Sequence, residues 1–411
     1  EQGVHALLVR NGQLVVAGEF DAALDFAGNP LTASGVAVWD GSQWFAAGGA
    51  VVGVDNIAHS VCDYAGKLMV GGMFERAGGM WVRGIAGTDG FNWFSLVSGI
   101  SNRVLSLTSY AGKLIVGGPF ASIGGINANS IAQWDGTTWT TLSTGITGAV
   151  PQTYALTTFN GELIAAGFFE FAGGVPVKNV ARWNGTQWSA MGQGLNGIVR
   201  VLAVWLNPVS GQSELYAGGD FTLSGTAPCK RLARWNPSTQ SWVEVGTGIA
   251  DHPASPGDTG VYTLQGYQGR LYAGGYFTQS ASGVTSPYLL TWDGSTFGVP
   301  PAGVVNDQVR ALSIYNGMLF IGGYFTTAGG QFRRHVAAWD GVSSSWAALG
   351  QGLGDGIGGD GVTCMSVYNG TLVVGGGFTE AGTQTGLNRI ARWNGTAWSP
   401  MDVGLDTIPN A

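Results

Sequence analysis

Eight times along its 411 residues the chain returns to one short phrase: two small residues, one variable residue and a phenylalanine. The copies are AGEF ending at Phe20, GGMF at Phe74, GGPF at Phe120, AGFF at Phe169, GGDF at Phe221, GGYF at Phe277, GGYF at Phe325 and GGGF at Phe378, spaced by about 51 residues. A second phrase follows each copy, built on a turn between two mostly aromatic positions. It reads WDGSQW (39–44), TDGFNW (88–93), WDGTTW (134–139), WNGTQW (183–188), WNPSTQSW (235–242), WDGSTF (292–297), WDGVSSSW (339–346) and WNGTAW (393–398). Fourteen of the sixteen tryptophans fall in this phrase, Trp81 and Trp205 being the others, so tryptophan here is repeat architecture rather than a cofactor box.

A third pattern precedes each pair of small residues, as in VRALSIYNGMLFIGG (309–323), VTCMSVYNGTLVVGG (362–376) and VLSLTSYAGKLIVGG (104–118). Apolar residues alternate on both sides of an NG, AG or QG pair, and such pairs supply the positive φ angles of a tight hairpin. That gives strands a and b. The IAxW segment supplies strand c, the DG or NG turn follows, and WxxL supplies strand d. No segment has sustained helical periodicity or helix caps. A lone four-stranded meander with apolar residues on both faces cannot bury them, so neighbouring units must stack, and radial copies close into a ring. The expectation is an all-β fold: a single eight-bladed β-propeller over 1–411, with four antiparallel strands per blade. The blades are placed near 1–49, 54–99, 101–146, 150–194, 197–248, 258–302, 305–351 and 361–405. The ring should close by packing of the last blade on the first, without a terminal strand borrowed from the other end.

Composition limits the partners. Charged residues are 10% of the chain against about 25% in ordinary soluble domains, and glycine stands at 71 residues. Net charge is −7, with Lys67, Lys113, Lys178 and Lys230 the only lysines, so no basic block exists to neutralise a phosphate backbone and nucleic acid is not expected as a partner. No run approaches the roughly 18 apolar residues of a spanning helix. The chain opens at Glu1 without a Met, which predicts a processed or trimmed, soluble product. Cys62, Cys229 and Cys364 are too few and too scattered for a disulfide framework or a CxxC metal site, and Cys62 and Cys364 fall at apolar positions of strands, as buried free thiols.

With a GG pair ending strand b, an aromatic residue on strand c and a Trp on strand d, the chain resembles kelch-type propellers. The phrases GGYFTTAGG, ARWNGTAW and LGQGL make it similar also to the Gly-Trp repeats of fungal cortical polarity-marker ectodomains and of secreted bacterial propeller proteins, over essentially the whole chain. The resemblance implies architecture and an extracellular or cell-surface setting, since propellers host binding, scaffold and enzymatic roles alike. The kelch likeness also invites comparison with copper oxidases of the same blade type. Cys62–Tyr64 and Cys364–Tyr368 lie on strand a, but nothing identifies a copper ligand set. Quinone-dependent dehydrogenases also use eight Trp-rich blades, with docking motifs unlike WDGxxW.

In such a blade the d–a and b–c connections emerge on one face, where loops vary most; the longest are IADHPASPGDTG (249–260) and LGDGIGGDG (353–361). Aligning strand a isolates one position beside its first apolar residue, near the axis at that face. Its occupants are His5, His59, Leu105, Tyr154, Arg200, Tyr262, Arg310 and Thr363. His5, His59, Tyr154, Arg200, Tyr262 and Arg310 are the candidate ligand-binding residues, able to hold an anionic or sugar-like ligand by Arg hydrogen bonds and ring stacking. The alternative is that these side chains fill the tapering channel. No pair of carboxylates occupies the column, so acid–base glycosidase chemistry is unsupported. Asp355 and Asp360 are weak metal candidates in a glycine-rich loop, too few in oxygen ligands for a calcium site. The Asp or Asn of each WDG turn is read as closing its own turn. Asn184, Asn369 and Asn394 lie in N-G-T sequences but double as hairpin turn residues. Arg333, Arg334 and His335 form a basic spot read as a solvated rim.

The sequence therefore predicts a non-enzymatic binding or scaffold propeller, without a cofactor, presenting its loop face and channel mouth to a protein or glycan partner. The alternatives are a structural subunit of a surface layer or filament, and an enzyme with its site at the channel mouth.

Overall fold

The computed structural model describes residues 3–406 other than 26, 50–52, 97–98, 301–303, 348, 351, 355–360, 382–383 and 386. Asp355 and Asp360 lie outside the described residues. The hairpin-forming phrases fold as their alternation demands. Each repeat gives one four-stranded antiparallel sheet with the strands in chain order, and the described residues contain eight of them. In the first, strands a to d are Gly3–Arg10, Gln13–Glu19, Val36–Trp39 and Trp44–Ala46.

Strand a is an edge strand of its own sheet and is placed against strand a of the next. The series runs Gly3–Arg10, Ile57–Tyr64, Ser106–Tyr110, Gln152–Phe159, Val199–Asn207, Gly260–Tyr267, Val309–Tyr315 and Val362–Tyr368, and the last lies against the first. The sheets thus stand around a common axis as the blades of a β-propeller, and the apolar core is divided into clusters that each straddle two neighbouring sheets.

Closure differs from the expectation in one respect. The eight main sheets borrow no strand, but Gly404–Asp406 pairs antiparallel with Ala22–Leu24 in the b–c connection of the first sheet. The same reach occurs inside the ring, where Ile146–Thr147 pairs with Phe171–Ala172. The C-terminal segment therefore makes at the seam the contact that every d–a connection is positioned to make. Most b–c connections are themselves small hairpins, such as Arg76–Ala77 with Met80–Trp81.

The paired small residues of the first phrase have separate roles. A Cβ on the second, such as Gly219, would overlap the carbonyl oxygen of Ile198, immediately before strand a of its own sheet. A Cβ on the first, such as Gly218, would press into the Val261 side chain of the next sheet. The first position tolerates alanine in two sheets, as Ala17 and Ala166; the second is glycine in all eight.

Aromatic residues tie the sheets together. The strand c and strand d tryptophans pack against each other, edge to face in Trp39–Trp44 with centroids 5.1 Å apart. In four sheets the strand d indole donates to the sheet before it: Trp139 Nε1 to the Leu96 carbonyl at 2.6 Å, Trp188 to Leu142 at 2.8 Å, Trp398 to Leu349 at 3.0 Å, and Trp44 to Met401 across the seam at 2.7 Å. In the WDG turns, Asp135 Oδ1 accepts from the backbone amides of Thr137 and Thr138, each at 2.8 Å, and Asn184 and Asp293 repeat the pattern. These are turn-closing residues.

Candidate ligand site at the channel mouth

Strand a pairs with strand b through a register shift at one place in seven of the eight sheets. The extra residue is His5, His59, Tyr154, Arg200, Tyr262, Arg310 or Thr363. A β-bulge removes its extra residue from the ladder and turns its side chain out of the alternating pattern. The aligned column is thus a ring of bulges at the inner edge of the sheets. In the third sheet Leu105 precedes the first ladder residue, Ser106, and its amide donates to the Gly117 carbonyl at 2.9 Å. The glycine that ends strand b sits against the carbonyl two residues before the bulge, as Gly219 does against Ile198, so the backbone there leaves no room for a side chain.

The ring divides into sectors. In the fifth to seventh sheets the side chains form a ladder. Arg200 makes a bidentate pair with Asp220, Nε to Oδ1 at 2.7 Å and Nη2 to Oδ2 at 2.6 Å. Its guanidinium carbon is 5.4 Å from the ring centre of Tyr262, and that of Arg310 is 4.4 Å from the same ring. Arg310 also stands 5.8 Å from the ring of Tyr324. Burial pushes the Tyr262 hydroxyl above its ordinary pKa, opposed by Arg310 and Arg200, and that hydroxyl donates to the Asp258 carbonyl at 3.0 Å. Tyr154, in the neighbouring sheet, donates to Gln152 Oε1 at 2.7 Å.

His5 and His59 meet across the first two sheets with ring centroids 5.5 Å apart. Burial first, and then the nearby charges of His5 and Arg103, pull the His59 imidazole down to about 4. His59 is therefore neutral at pH 7. Thr363 serves closure: its hydroxyl bonds the Val4 carbonyl across the seam. The six candidate residues are thus grouped as a histidine pair, Tyr154, and the Arg200–Tyr262–Arg310 ladder.

Two further sets of residues build the ladder. Asp220 and Tyr324 occupy the variable place of the GGxF phrase, as does Tyr276, which stacks on His252 of the 249–260 loop with centroids 4.3 Å apart. That one changing position in an otherwise constant phrase is the signal that would have found them. Gly260 and Gly361 stand immediately before the first apolar residue of their strands. A Cβ on Gly260 would collide with Asp220 and approach Tyr262, and one on Gly361 would lie 2.9 Å from the Tyr324 ring.

The basic spot at 333–335 is corrected in part. His335 is 4% exposed, at a left-handed backbone position (φ 61°) where its amide donates to the Phe325 carbonyl and its own carbonyl accepts from Gly323. Arg334 bonds the Gly354 carbonyl at 2.9 Å and covers Phe332, while Arg333 bonds the Ala328 carbonyl at 3.0 Å. These side chains brace the b–c connection rather than form a solvated rim. The three cysteines are free thiols; burial pushes Cys229 and Cys364 up to about 12, far from the thiolate that metal binding or nucleophilic chemistry needs. Among the described residues, no cluster of three or more His, Cys, Asp and Glu side chains could hold a metal ion.

No family model matches the sequence, and no curated protein matches it. Among solved structures, the chain is similar to the computationally designed Ika8 protein, with a TM-score of 0.53 at 14% identity, over 91% of this chain and 93% of that one. It is also matched to the WD40 β-propeller domain of Doa1, with a TM-score of 0.41 at 12% identity over 92% and 90% of the two chains. A third match is the extracellular domain of the putative one component system BT4673 from B. thetaiotaomicron, with a TM-score of 0.45 at 10% identity, over 77% of this chain and 36% of that one. At these identities the likeness is one of fold. The class defined by fold and sheet arrangement is an all-β, propeller-type repeat protein.

Proposed function

We propose that the chain is a non-enzymatic binding scaffold, an eight-bladed kelch-like propeller of the cell surface or extracellular space that presents its loop face and channel mouth to a protein or glycan partner. The observation that carries this reading is the Arg200–Tyr262–Arg310 ladder, set on bulges of inner strands whose backbones are fixed by the surrounding ring. Aromatic faces and guanidinium edges on a rigid frame recognise ligands without needing to react with them. The carboxylate in the ladder, Asp220, is engaged by Arg200 at both oxygens, which suits positioning better than proton transfer. The scarcity of charge and the likeness to surface propellers support the same setting.

A second reading, a structural subunit of a surface assembly, is favoured by apolar side chains displayed on the b–c hairpins, chiefly Trp81 at 56% and Phe332 at 52% exposure. The two readings separate on a glycan array probed with the purified protein, combined with mass analysis of the glycans afterwards. The binding reading predicts retention of a defined glycan subset with glycan masses unchanged. Cleaved or oxidised glycans would establish an enzyme, and self-association without any retention would favour the assembly subunit.

A further inference from the structure

Resting on the binding reading, we infer that Arg310 is the receptor for an oxyanion, and that the ligand class is an acidic saccharide carrying one carboxylate per recognised unit.

Three features together single out Arg310. First, it is stacked between Tyr262 and Tyr324, which fixes the plane of its guanidinium while leaving the N–H edges to bond in that plane. Second, it is unspent. The ion pairs among the described residues engage Arg10, Arg182, Arg200, Arg231, Arg234 and Arg389, and none engages Arg310. Its Nε is buried and meets no acceptor among the described residues, whereas Arg200 one rung away is matched at both edges by Asp220. A buried, unmatched donor on a charged fork is a costly state, and since Nε is closed to solvent, an oxyanion would meet this fork at its Nη groups. Third, the sandwich is built into the backbone. Gly260 and Gly361 stand where most other sheets carry a side chain; a Cβ on Gly260 would collide with Asp220 and crowd Tyr262, and one on Gly361 would press on Tyr324.

The ligand class follows from what surrounds this guanidinium. One unmatched fork, with Arg200 already neutralised, accommodates a single carboxylate rather than a dense run of negative charge. Beside it stand the rings of Tyr262 and Tyr324, which offer faces and polar edges suited to a hydroxyl-bearing ring of the ligand. Tyr276 and Tyr324 share the same place in successive GGxF phrases, so the rings project from equivalent points of neighbouring sheets. An acidic peptide would want several cations in a row, which this sector lacks.

Titration of the full chain with glucuronic acid, glucose, inorganic phosphate and a tetraglutamate peptide, followed by calorimetry, tests the assignment. Glucuronic acid should bind, weaken on raising salt, and exceed glucose by at least about 10-fold. R310Q should weaken glucuronic acid by about 10- to 100-fold and leave glucose unaffected, and R310K should not restore it, because a point charge lacks the planar fork. R10Q, at the a–b-turn end of its strand and away from the ladder, should retain binding, while thermal melts of each variant report on folding. Equal binding of glucose, no effect of R310Q, or no binding of glucuronic acid would overturn the assignment. Tighter, Arg310-dependent binding of phosphate or tetraglutamate would overturn the ligand class. Glycan retention on the array that survives R310Q would leave the scaffold reading standing and this inference refuted.

Discussion

The hydroxyl of Tyr368, at the end of the last inner strand, donates to the carbonyl oxygen of Gly12 in the first hairpin turn of the chain, 2.9 Å away. Tyr315 makes the equivalent bond to Gly370 at 2.8 Å and Tyr267 to Gly317 at 2.7 Å, and in the first sheet Arg10 Nη2 takes the same role toward Gly66 at 2.8 Å. The seam is therefore bonded like an interior junction. Tyr368→Phe and Tyr315→Phe should each cost about 0.5–1.5 kcal/mol in denaturant unfolding, equal within that range. A much smaller loss for Tyr368→Phe would mark the seam as a weak point of the ring.

Gly219 closes against the Ile198 carbonyl beside the Arg200 bulge. Gly219→Ala should destabilise by about 1–3 kcal/mol through overpacking against backbone that cannot yield. Gly218→Ala meets only side chains and corresponds to natural alanines at 17 and 166, so it should cost less. Thermal melts of the two variants compare the positions directly.

His59 supplies a pH dependence. Its imidazole is pulled down to about 4 from the ordinary 6.5. Between those values the unfolded chain binds the proton more readily than the folded one. The stability that His59 contributes is then whole above pH 6.5, falls as pH drops through that window, and is gone below about 4. Denaturant midpoints measured from pH 7.5 to 4 should fall less steeply for His59→Gln than for the wild type. Parallel curves would show that the folded environment does not disfavour the charged ring.

Asp220 neutralises Arg200 at both edges. Asp220→Asn leaves that guanidinium with its charge uncompensated next to Tyr262, and should raise the affinity of the ladder for an acidic saccharide several-fold. Calorimetric titration with glucuronic acid measures the change; unchanged or weaker binding would show that Asp220 positions the ladder rather than masking it.

Much of the molecule is legible in the sequence because repetition averages out local ambiguity. The GG–turn–W phrases give the strands and their order, and the aligned column coincides with a bulge in each sheet where the strand reaches that far. What escaped has a physical reason in each case. Bulges are set by backbone pairing across strands, so Arg200, Tyr262 and Arg310 could be aligned but not seen to stack. Asp220 and Tyr324 follow the last residue of strand b, and only the fold brings them beside Arg200 and Arg310 of strand a. His335 looked like part of a charged surface run, yet its backbone position turns it inward. The pairing of Gly404–Asp406 with the first sheet joins opposite ends of the chain, which no local pattern encodes.

Recognition is proposed to reside on the loop face at the channel mouth. It is tested most directly by one glycan-array experiment on three proteins: the wild type, the loop-face variant Arg200→Gln/Arg310→Gln, and the variant Arg10→Gln, which alters a residue at the opposite, a–b-turn end of a strand. The account predicts that the loop-face variant loses the wild-type binding pattern with its melting temperature little changed, and that Arg10→Gln keeps the pattern. Retained binding by the loop-face variant, or equal loss in both, would contradict it.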